Sequence, residues 1–465
     1  MLRSIAAALL CGASPALAQQ APASASLTPA LVTVAPLPAS PAVNAYYHLN
    51  GNAPIWLRDA ASAEAAKLLP AILERAPLDG LANGPELARL VEDAIARAQA
   101  AGPSSQPGAR PAELVAADKL LSAAWVQYVR ALKAPIGGMT YGDPGLAPQM
   151  PKPDRILHDA QRAPSLADHV RALAAVSPVY AELRDAAWSK LKLGGDRAPD
   201  AQLLANLGRA RMLPATGRYV FVNTATAQLW MYEDGRVVDS MKVVVGKRDT
   251  PTPMLAGTIH YVTFNPYWNI PTDVARKSVA PLVVKRGTAY LRAARYEVAS
   301  DWTRQATVLD PKTIDWKAVV DGTRDVHIRQ LPGPANMMGA IKFGFVNDLG
   351  IYLHDTPNKG LFAKAKRTFS LGCVRVEDAT RLARWFLGKE PVAPNAEPEQ
   401  FVQLGKGVPV YLTYLTAVAD GGRLAYVDDA YGRDPKAGLV ALEPLVPAST
   451  ASLAAASADV TATPH

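Results

Sequence analysis

His354 and Cys373, nineteen positions apart, are the side chains of this sequence best suited to covalent chemistry. The chain holds two cysteines, and the other one, Cys11, lies in a segment with the features of an export signal. Removal of that segment leaves Cys373 without a disulfide partner in an exported protein. A thiolate attacks carbonyl carbons well when a neighbouring imidazole takes its proton. The pair therefore predicts a nucleophile with its general base, against the alternative of an inert, buried cysteine.

The residues around the cysteine favour a nucleophile over a packed core position. Ser370 and Gly372 bracket a predicted turn, in which glycine lets the backbone approach a ligand closely. Arg375 places a fixed cation two residues past the sulfur, where a buried core would carry an apolar residue.

The spacing of these residues resembles that of a known family. The pattern H-x(15)-S-x-G-C-V-R, which begins at His354, is similar to the signature of the YkuD-type L,D-transpeptidases, cysteine enzymes that cross-link peptidoglycan. The context Y-L-H-D-T-P resembles the large periplasmic branch of the family, which has a scaffold domain and a capping loop. One position departs from the pattern, because many members have His or Ser where this chain has Leu371. That difference leaves the donor and acceptor preference open.

The resemblance implies an acyl transfer in two steps. Cys373 would attack the carbonyl between diaminopimelate and the terminal D-Ala of a stem peptide, and D-Ala would leave as a thioester forms. An amine of a second stem would then take the acyl group, with no ATP consumed. His354 would act as general base, its tautomer held by a backbone carbonyl.

The chemistry of this reaction assigns roles to the residues beside the sulfur. Backbone N–H groups from Leu371 to Cys373, Leu371 and Gly372 foremost, are the candidate donors to the oxyanion. A helix predicted from Glu377 onward would direct its positive end at the sulfur and lower the thiol pKa. Arg375 would add to that field, bind a substrate carboxylate, or form an ion pair with an acidic neighbour at 377 or 378.

Three further residues are predicted to line the substrate groove. Tyr352 lies two positions before His354, so strand alternation puts both on one face. Ser370 would bond locally within the turn or contact substrate. Trp268 either packs in a proline-bounded turn or touches ligand, the latter implied by the family resemblance.

Composition excludes several classes of function. Lys and Arg number 49 against 41 for Asp and Glu, a surplus that favours anionic partners such as an acidic wall polymer. The basic residues are dispersed, which argues against nucleic acid as a partner. Seven histidines are scattered without metal-ligand spacing, so the sequence predicts neither a metal site nor a cofactor.

The first residues of the chain predict export to the periplasm. Met1 to Ala18 combines one positive charge, a short apolar run and an Ala-x-Ala end, which is typical of a cleaved signal peptide. Leu10 is bulky where a lipoprotein signal before Cys11 needs a small residue. No other segment is apolar enough to span a bilayer. We expect the protein to be a monomer, and the family resemblance implies that it acts on peptidoglycan stems.

Periodicity predicts an α+β protein, with a helical N-terminal domain before a β-rich domain that a mixed helical stretch interrupts. The family resemblance implies that the first is a scaffold domain, the second a YkuD-type catalytic domain, and the interruption a helical capping insertion. The clearest helix is Ala112 to Leu132, whereas 137–153 is predicted to be irregular and 409–416 to be the last strand. The predicted segments are a signal peptide (1–18), a disordered linker (19–43), the scaffold (44–215), the catalytic domain (216–434, insertion 272–325) and a disordered tail (435–465).

The motif leaves alternatives open. Water in place of the amine would give an L,D-carboxypeptidase or a hydrolase of cross-links with the same acyl-enzyme. A wall-binding scaffold protein with a decayed site is a third hypothesis, against which the intact Cys373, His354 and Arg375 argue. Among transpeptidases, 3,3 links, 1,3 links and lipoprotein attachment all remain open.

Overall fold

The structure, a computed structural model, describes residues 40–100, 111–194, 198–303 and 305–435. The predicted signal peptide, most of the predicted linker, the loop at 103–108 and the tail beyond 435 lie outside the described residues. Among the described residues, no helix combines the length and the apolar content that crossing a membrane requires.

Helices build the N-terminal half around one apolar core. The longest, α5, covers the 21 residues predicted, because its stripe of Leu121, Trp125 and Tyr128 is fully buried. These helices are α1 (Pro41–Leu49), α2 (Ala60–Ala66), α3 (Leu69–Glu74), α4 (Gly84–Ala100), α5 (Ala112–Leu132), α6 (Pro153–Arg162), α7 (Leu166–Ala175), α8 (Pro178–Gly194) and α9 (Ala201–Ala210).

Regular structure begins earlier in the chain than predicted, because α1 includes the last residues, 41–43, of the predicted disordered linker. Pro41 at the first helical position starts this helix, because proline has the backbone angle of a helix and lacks only an N–H that would be unpaired there. Val43, Tyr46 and Tyr47 are buried against the other helices. Burial of these side chains offsets the conformational entropy that is lost when this segment, whose composition predicts disorder, becomes ordered.

The C-terminal half is a ten-stranded sheet in the order β1-β5-β10-β11-β13-β4-β3-β2-β14, with β12 beside β4. Because β14 also pairs with β5, the sheet closes on itself around a second apolar core. Its strands are β1 (Met139–Tyr141), β2 (Arg218–Asn223), β3 (Gln228–Glu233), β4 (Arg236–Gly246), β5 (Met254–Phe264), β10 (Ile341–Phe345), β11 (Leu353–His354), β12 (Thr368–Ser370), β13 (Val374–Val376) and β14 (Gln400–Thr413), and α14 (Ala379–Leu387) packs against β10 and β14.

Two parts of this sheet differ from the sequence prediction. Strand β14 begins at Gln400 and not at Pro409, because a register shift between Gln403 and Val408 lets the pairing with β5 continue past residues 404–407. Strand β1 lies in the segment predicted to be irregular. It pairs in parallel with β5, Met139 opposite Met254, so the N-terminal half contributes a strand to the sheet of the C-terminal half.

The predicted capping insertion has its own sheet and its own core. Its sheet, in the order β6-β9-β7-β8, reaches from Trp268 to Gln330 and is therefore wider than the predicted 272–325. The strand predicted at 326–330 pairs within the insertion. Its elements are β6 (Trp268–Ile270), α10 (Thr272–Val274), a π-helix (Ala275–Val279), α11 (Ala280–Arg286), α12 (Ala289–Ala293), β7 (Tyr296–Ala299), β8 (Val308–Leu309), α13 (Trp316–Asp321) and β9 (His327–Gln330).

Candidate active site

Two adjacent parallel strands, β11 and β13, bring the predicted histidine and cysteine together. Leu353 is opposite Val374, and both point into the core with no exposed surface. Side chains alternate along a strand, so Tyr352 and His354 share the opposite face with Cys373 and Arg375. His354 is opposite Arg375, and Cys373 directly precedes β13, so the imidazole and the thiol are two positions apart across one strand pair.

The structure favours a neutral imidazole at His354. The ring is 5% exposed, and its Nδ1 lies 2.6 Å from the Asp355 carbonyl oxygen, which only accepts a proton. Nδ1 therefore donates there, which leaves Nε2 as the proton acceptor. Burial, and then the charge of Arg375, lower the pKa of His354 to about 4, against the opposing effect of the Asp355 and Met338 carbonyls. The sequence predicts a backbone carbonyl in this role, and Asp355 supplies it.

The Cys373 thiol is half-buried, with Sγ 3.6 Å from the Gly350 carbonyl oxygen. Burial raises its pKa, and this effect exceeds the opposing effects of the Tyr352 N–H and of the charges on Arg375 and Lys342. The prediction of a lowered thiol pKa is therefore wrong. At neutral pH the sulfur carries its proton, so attack on a carbonyl requires a base to remove it.

The helix expected to activate the sulfur begins too late in the chain to do so. Strand β13 follows Cys373 directly, and α14 begins only at Ala379. Asp378 caps that helix by accepting from the Arg381 N–H at 2.9 Å. The field of a helix end falls off within about one turn, so α14 does not offset the burial of the thiol.

The turn that carries the cysteine is closed by Ser370. Its Oγ donates to the Cys373 carbonyl at 2.6 Å and accepts from the Gly372 N–H at 3.1 Å, which is a local turn bond. The Gly372 N–H is thus engaged, which corrects its predicted role as an oxyanion donor. Gly372 has φ +121°, and a Cβ there would lie 3.2 Å from Ile351 Cδ1. The Leu371 side chain is 54% exposed at the surface of the turn.

Arg375 has no carboxylate partner within the described residues. The two acidic neighbours are engaged elsewhere, since Glu377 accepts from the Lys242 N–H at 3.1 Å and Asp378 caps α14. Its Nε is buried without a hydrogen bond, and burial lowers the guanidinium pKa. The predicted ion pair is therefore not formed, and the cation is left beside His354 and Cys373.

Lys342 is a member of the site that sequence reasoning missed. It stands opposite His354 on β10, with Nζ 5.4 Å from the centre of the Tyr352 ring and 3.7 Å from Glu399 Oε1. Its positive charge opposes the rise in the thiol pKa that burial causes. The alternation of buried Ile341 and Phe343 around it is a signal that it faces the other side, but no motif marks it. Tyr352 is half-buried beneath the Lys342 amine.

Trp268 lies in β6 of the capping insertion and packs on its core, with the ring centre 6.5 Å from that of Tyr296. This is the packing alternative that the sequence left open. The structure brings Tyr352, His354, Cys373 and Arg375 onto one face, and it places Trp268 in the capping sheet instead.

Family comparisons agree with this architecture. Residues 217–410 match the model of the L,D-transpeptidase catalytic domain, YkuD, and residues 41–186 match that of a scaffold domain. A Haemophilus influenzae protein, whose name gives an L,D-transpeptidase assignment as provisional, is 26% identical over 391 residues, 82% of this chain and 76% of its own.

Solved structures show a more distant similarity. An L,D-transpeptidase from Mycobacterium smegmatis has 14% identity and a TM-score of 0.22, over 43% of this chain and 59% of its own. L,D-transpeptidase 3 from Mycobacterium tuberculosis has 12% identity and a TM-score of 0.21, over 43% of this chain and 61% of its own. The chain thus spans about three fifths of the length of these two proteins.

Proposed function

We propose that this chain, which carries a YkuD L,D-transpeptidase catalytic domain behind a scaffold domain, joins peptidoglycan stem peptides by acyl transfer through Cys373. His354 Nε2 takes the thiol proton while the sulfur attacks the carbonyl that precedes a terminal D-Ala. The carbon–nitrogen bond breaks, the imidazolium returns the proton to the leaving amine, and a thioester remains. An amine of a second stem then attacks the thioester, forms the new amide and restores the thiol.

One observation carries this proposal. A proton-bearing sulfur directly precedes the strand that pairs with the strand of a buried imidazole, and the Nδ1 of that imidazole is occupied by the Asp355 carbonyl. A raised thiol pKa and a lowered histidine pKa favour the neutral pair over a preformed thiolate and imidazolium. Proton transfer therefore accompanies the attack, which makes His354 a general base in the strict sense.

The experiment that tests this function uses the purified full chain with disaccharide tetrapeptides. We expect release of D-Ala and a product with the mass of a stem dimer. Fragmentation of the dimer then distinguishes a 3,3 link from a 1,3 link. Release of D-Ala with tripeptides but no dimer would contradict the transferase and favour the L,D-carboxypeptidase. No release at all would leave only a wall-binding scaffold protein.

Arg375 is proposed to bind a carboxylate of the donor stem. Its buried Nε has no partner among the described residues, and a guanidinium is suited to bidentate recognition of a carboxylate. We expect Arg375→Gln to raise the KM for the donor roughly 10- to 100-fold, the range for a lost hydrogen bond to a charged group. The measurement is the concentration dependence of D-Ala release.

A matched variant is available on the neighbouring helix. Arg381 pairs with Asp239 at 3.2 Å, so Arg381→Gln should leave the KM unchanged. Donors amidated at one carboxylate at a time should identify the group that Arg375 contacts. An unaltered KM in Arg375→Gln, with any loss confined to kcat, would contradict substrate binding.

The site of action follows from the substrate. Peptidoglycan stems lie outside the cytoplasm, so the proposed reaction requires export, which the first residues of the sequence predict. We therefore propose a periplasmic protein that acts on donor and acceptor stems.

A further inference from the structure

A loop between β4 and β5 packs against the turn that carries the proposed nucleophile. This support loop, residues 247–253, returns sharply on itself after Gly246. A Cβ at Gly246 would lie 2.1 Å from the Thr250 carbonyl oxygen and 2.6 Å from the Thr252 nitrogen, so no larger residue fits. The sequence T-P-T-P in this loop supplies two threonine hydroxyl groups, each on the residue before a proline, and the proposed mechanism gives neither of them a role.

Both hydroxyl groups hold carbonyls of the cysteine turn. Thr252 is fully buried, and its Oγ1 donates to the Gly372 carbonyl at 2.7 Å while accepting from the Gly246 N–H at 2.9 Å. Thr250 Oγ1 donates to the Ser370 carbonyl at 3.2 Å. The Lys247 N–H binds that same carbonyl at 3.0 Å.

Because a peptide bond is planar, the contacts of these two carbonyls also fix the directions of two N–H groups. In a trans peptide the C=O and the N–H of the next residue point in opposite directions. The Gly372 carbonyl points into the support loop, so the Cys373 N–H points away from it. The Ser370 carbonyl does the same, so the Leu371 N–H also points away. Between them, the Gly372 N–H is turned to Ser370 Oγ.

We propose that Thr252, assisted by Thr250, is a positioning residue that aims the Cys373 and Leu371 N–H groups at the oxyanion of the acyl transfer. This inference rests on the proposed function and adds the device that orients its oxyanion donors. When the sulfur adds to a carbonyl, the oxygen gains the charge that these donors stabilise. Donors fixed before the reaction need no reorientation as that charge develops.

The peptide between Gly372 and Cys373 is the part of the turn that most needs such an anchor. Gly372 adopts a positive φ and has no side chain, so its peptide plane rotates more freely than that of other residues. A flipped plane would present a carbonyl oxygen to the oxyanion in place of the N–H. Arg433 in turn holds Thr252, since its Nη2 donates to the Thr252 carbonyl at 3.0 Å.

The test compares two reactions at the same sulfur in Thr252→Val. A carbapenem acylates the thiol when sulfur adds to the lactam carbonyl, the ring C–N bond breaks and the nitrogen gains a proton. Iodoacetamide alkylates it by displacing iodide, and no oxygen gains charge. We expect acylation to slow about 100- to 1000-fold, as on loss of one oxyanion donor. Alkylation should stay within about twofold of the wild type.

Two variants complete the design. Thr252→Ser keeps the hydroxyl and should restore most of the acylation rate. Thr413→Val alters a buried threonine of β14 whose hydroxyl has no partner among the described residues, and it should leave both rates unchanged. The rate constants are measured by the mass of the protein adduct over time.

Opposite outcomes would overturn the inference. Equal slowing of both reactions in Thr252→Val would mean that the loop only keeps the sulfur in place or the domain folded. An unchanged acylation rate would mean that the hydroxyl does not orient the donors. A wild type that is acylated normally but makes no stem dimers would refute the transferase proposal and leave this inference standing.

Discussion

Replacing Cys373 with alanine is expected to abolish both D-Ala release and dimer formation, with a loss of at least about 1000-fold. No other cysteine is present among the described residues to replace the nucleophile, and water cannot form the thioester. The measurement is mass spectrometry of the stem products, together with the mass of the protein after incubation with donor. Wild type should gain the mass of the acyl group, and the variant should not.

The variant needs a control for folding. A half-buried thiol contributes little packing, so the thermal unfolding midpoint of Cys373→Ala should stay close to that of the wild type. Activity retained at the wild-type level by a folded Cys373→Ala protein would refute covalent catalysis. That result would favour the hypothesis of a wall-binding scaffold protein.

His354→Gln is expected to slow acylation by about 100- to 10,000-fold, the usual contribution of a general base. The same residue should set the acid limit of the wild type. Its pKa is lowered to about 4, so the imidazole is neutral above that pH and gains a proton below it. Activity should therefore be retained from neutral pH down to about pH 5 and fall as the pH drops through about 4. A pH–rate profile of D-Ala release measures this limit.

A second histidine provides the matched control. The Nδ1 of His327, in the capping insertion, also lies near a backbone carbonyl, that of Ser300 at 3.2 Å, but outside the β11–β13 face. His327→Gln should leave both the rate and the acid limit unchanged. A His354→Gln protein within a few-fold of the wild type, or one that keeps the acid limit near pH 4, would contradict the assigned base.

Local signals account for what the sequence predicts well. The spacing of His354 and Cys373, with Gly372 between them, depends on turn chemistry and strand alternation, both of which are properties of short segments. The boundaries of α5 follow from an apolar stripe at helical period, and they agree with the structure at both ends. The family resemblance rests on the same local residues.

Tertiary burial accounts for what the sequence predicts badly. The thiol pKa depends on how much of the sulfur the fold encloses, and no spacing along the chain reports that. Lys342 reaches the site across a strand pairing, without a sequence neighbour among the predicted site residues. The strands of the insertion and β1 are short, and short strands carry too few residues for alternation to be read.

The pairing of β1 with β5 bears on where this chain can be divided into fragments. A fragment cut at the match limits, 217–410, would lose β1 and expose the backbone of Met254 to Ala256 along a free sheet edge. It would also lose Arg433, whose guanidinium holds the Thr252 carbonyl. The matched segment thus leaves out contacts that complete the sheet and the support loop, and we expect a fragment cut at its limits to self-associate through the free edge and to hold the turn of the proposed nucleophile less firmly.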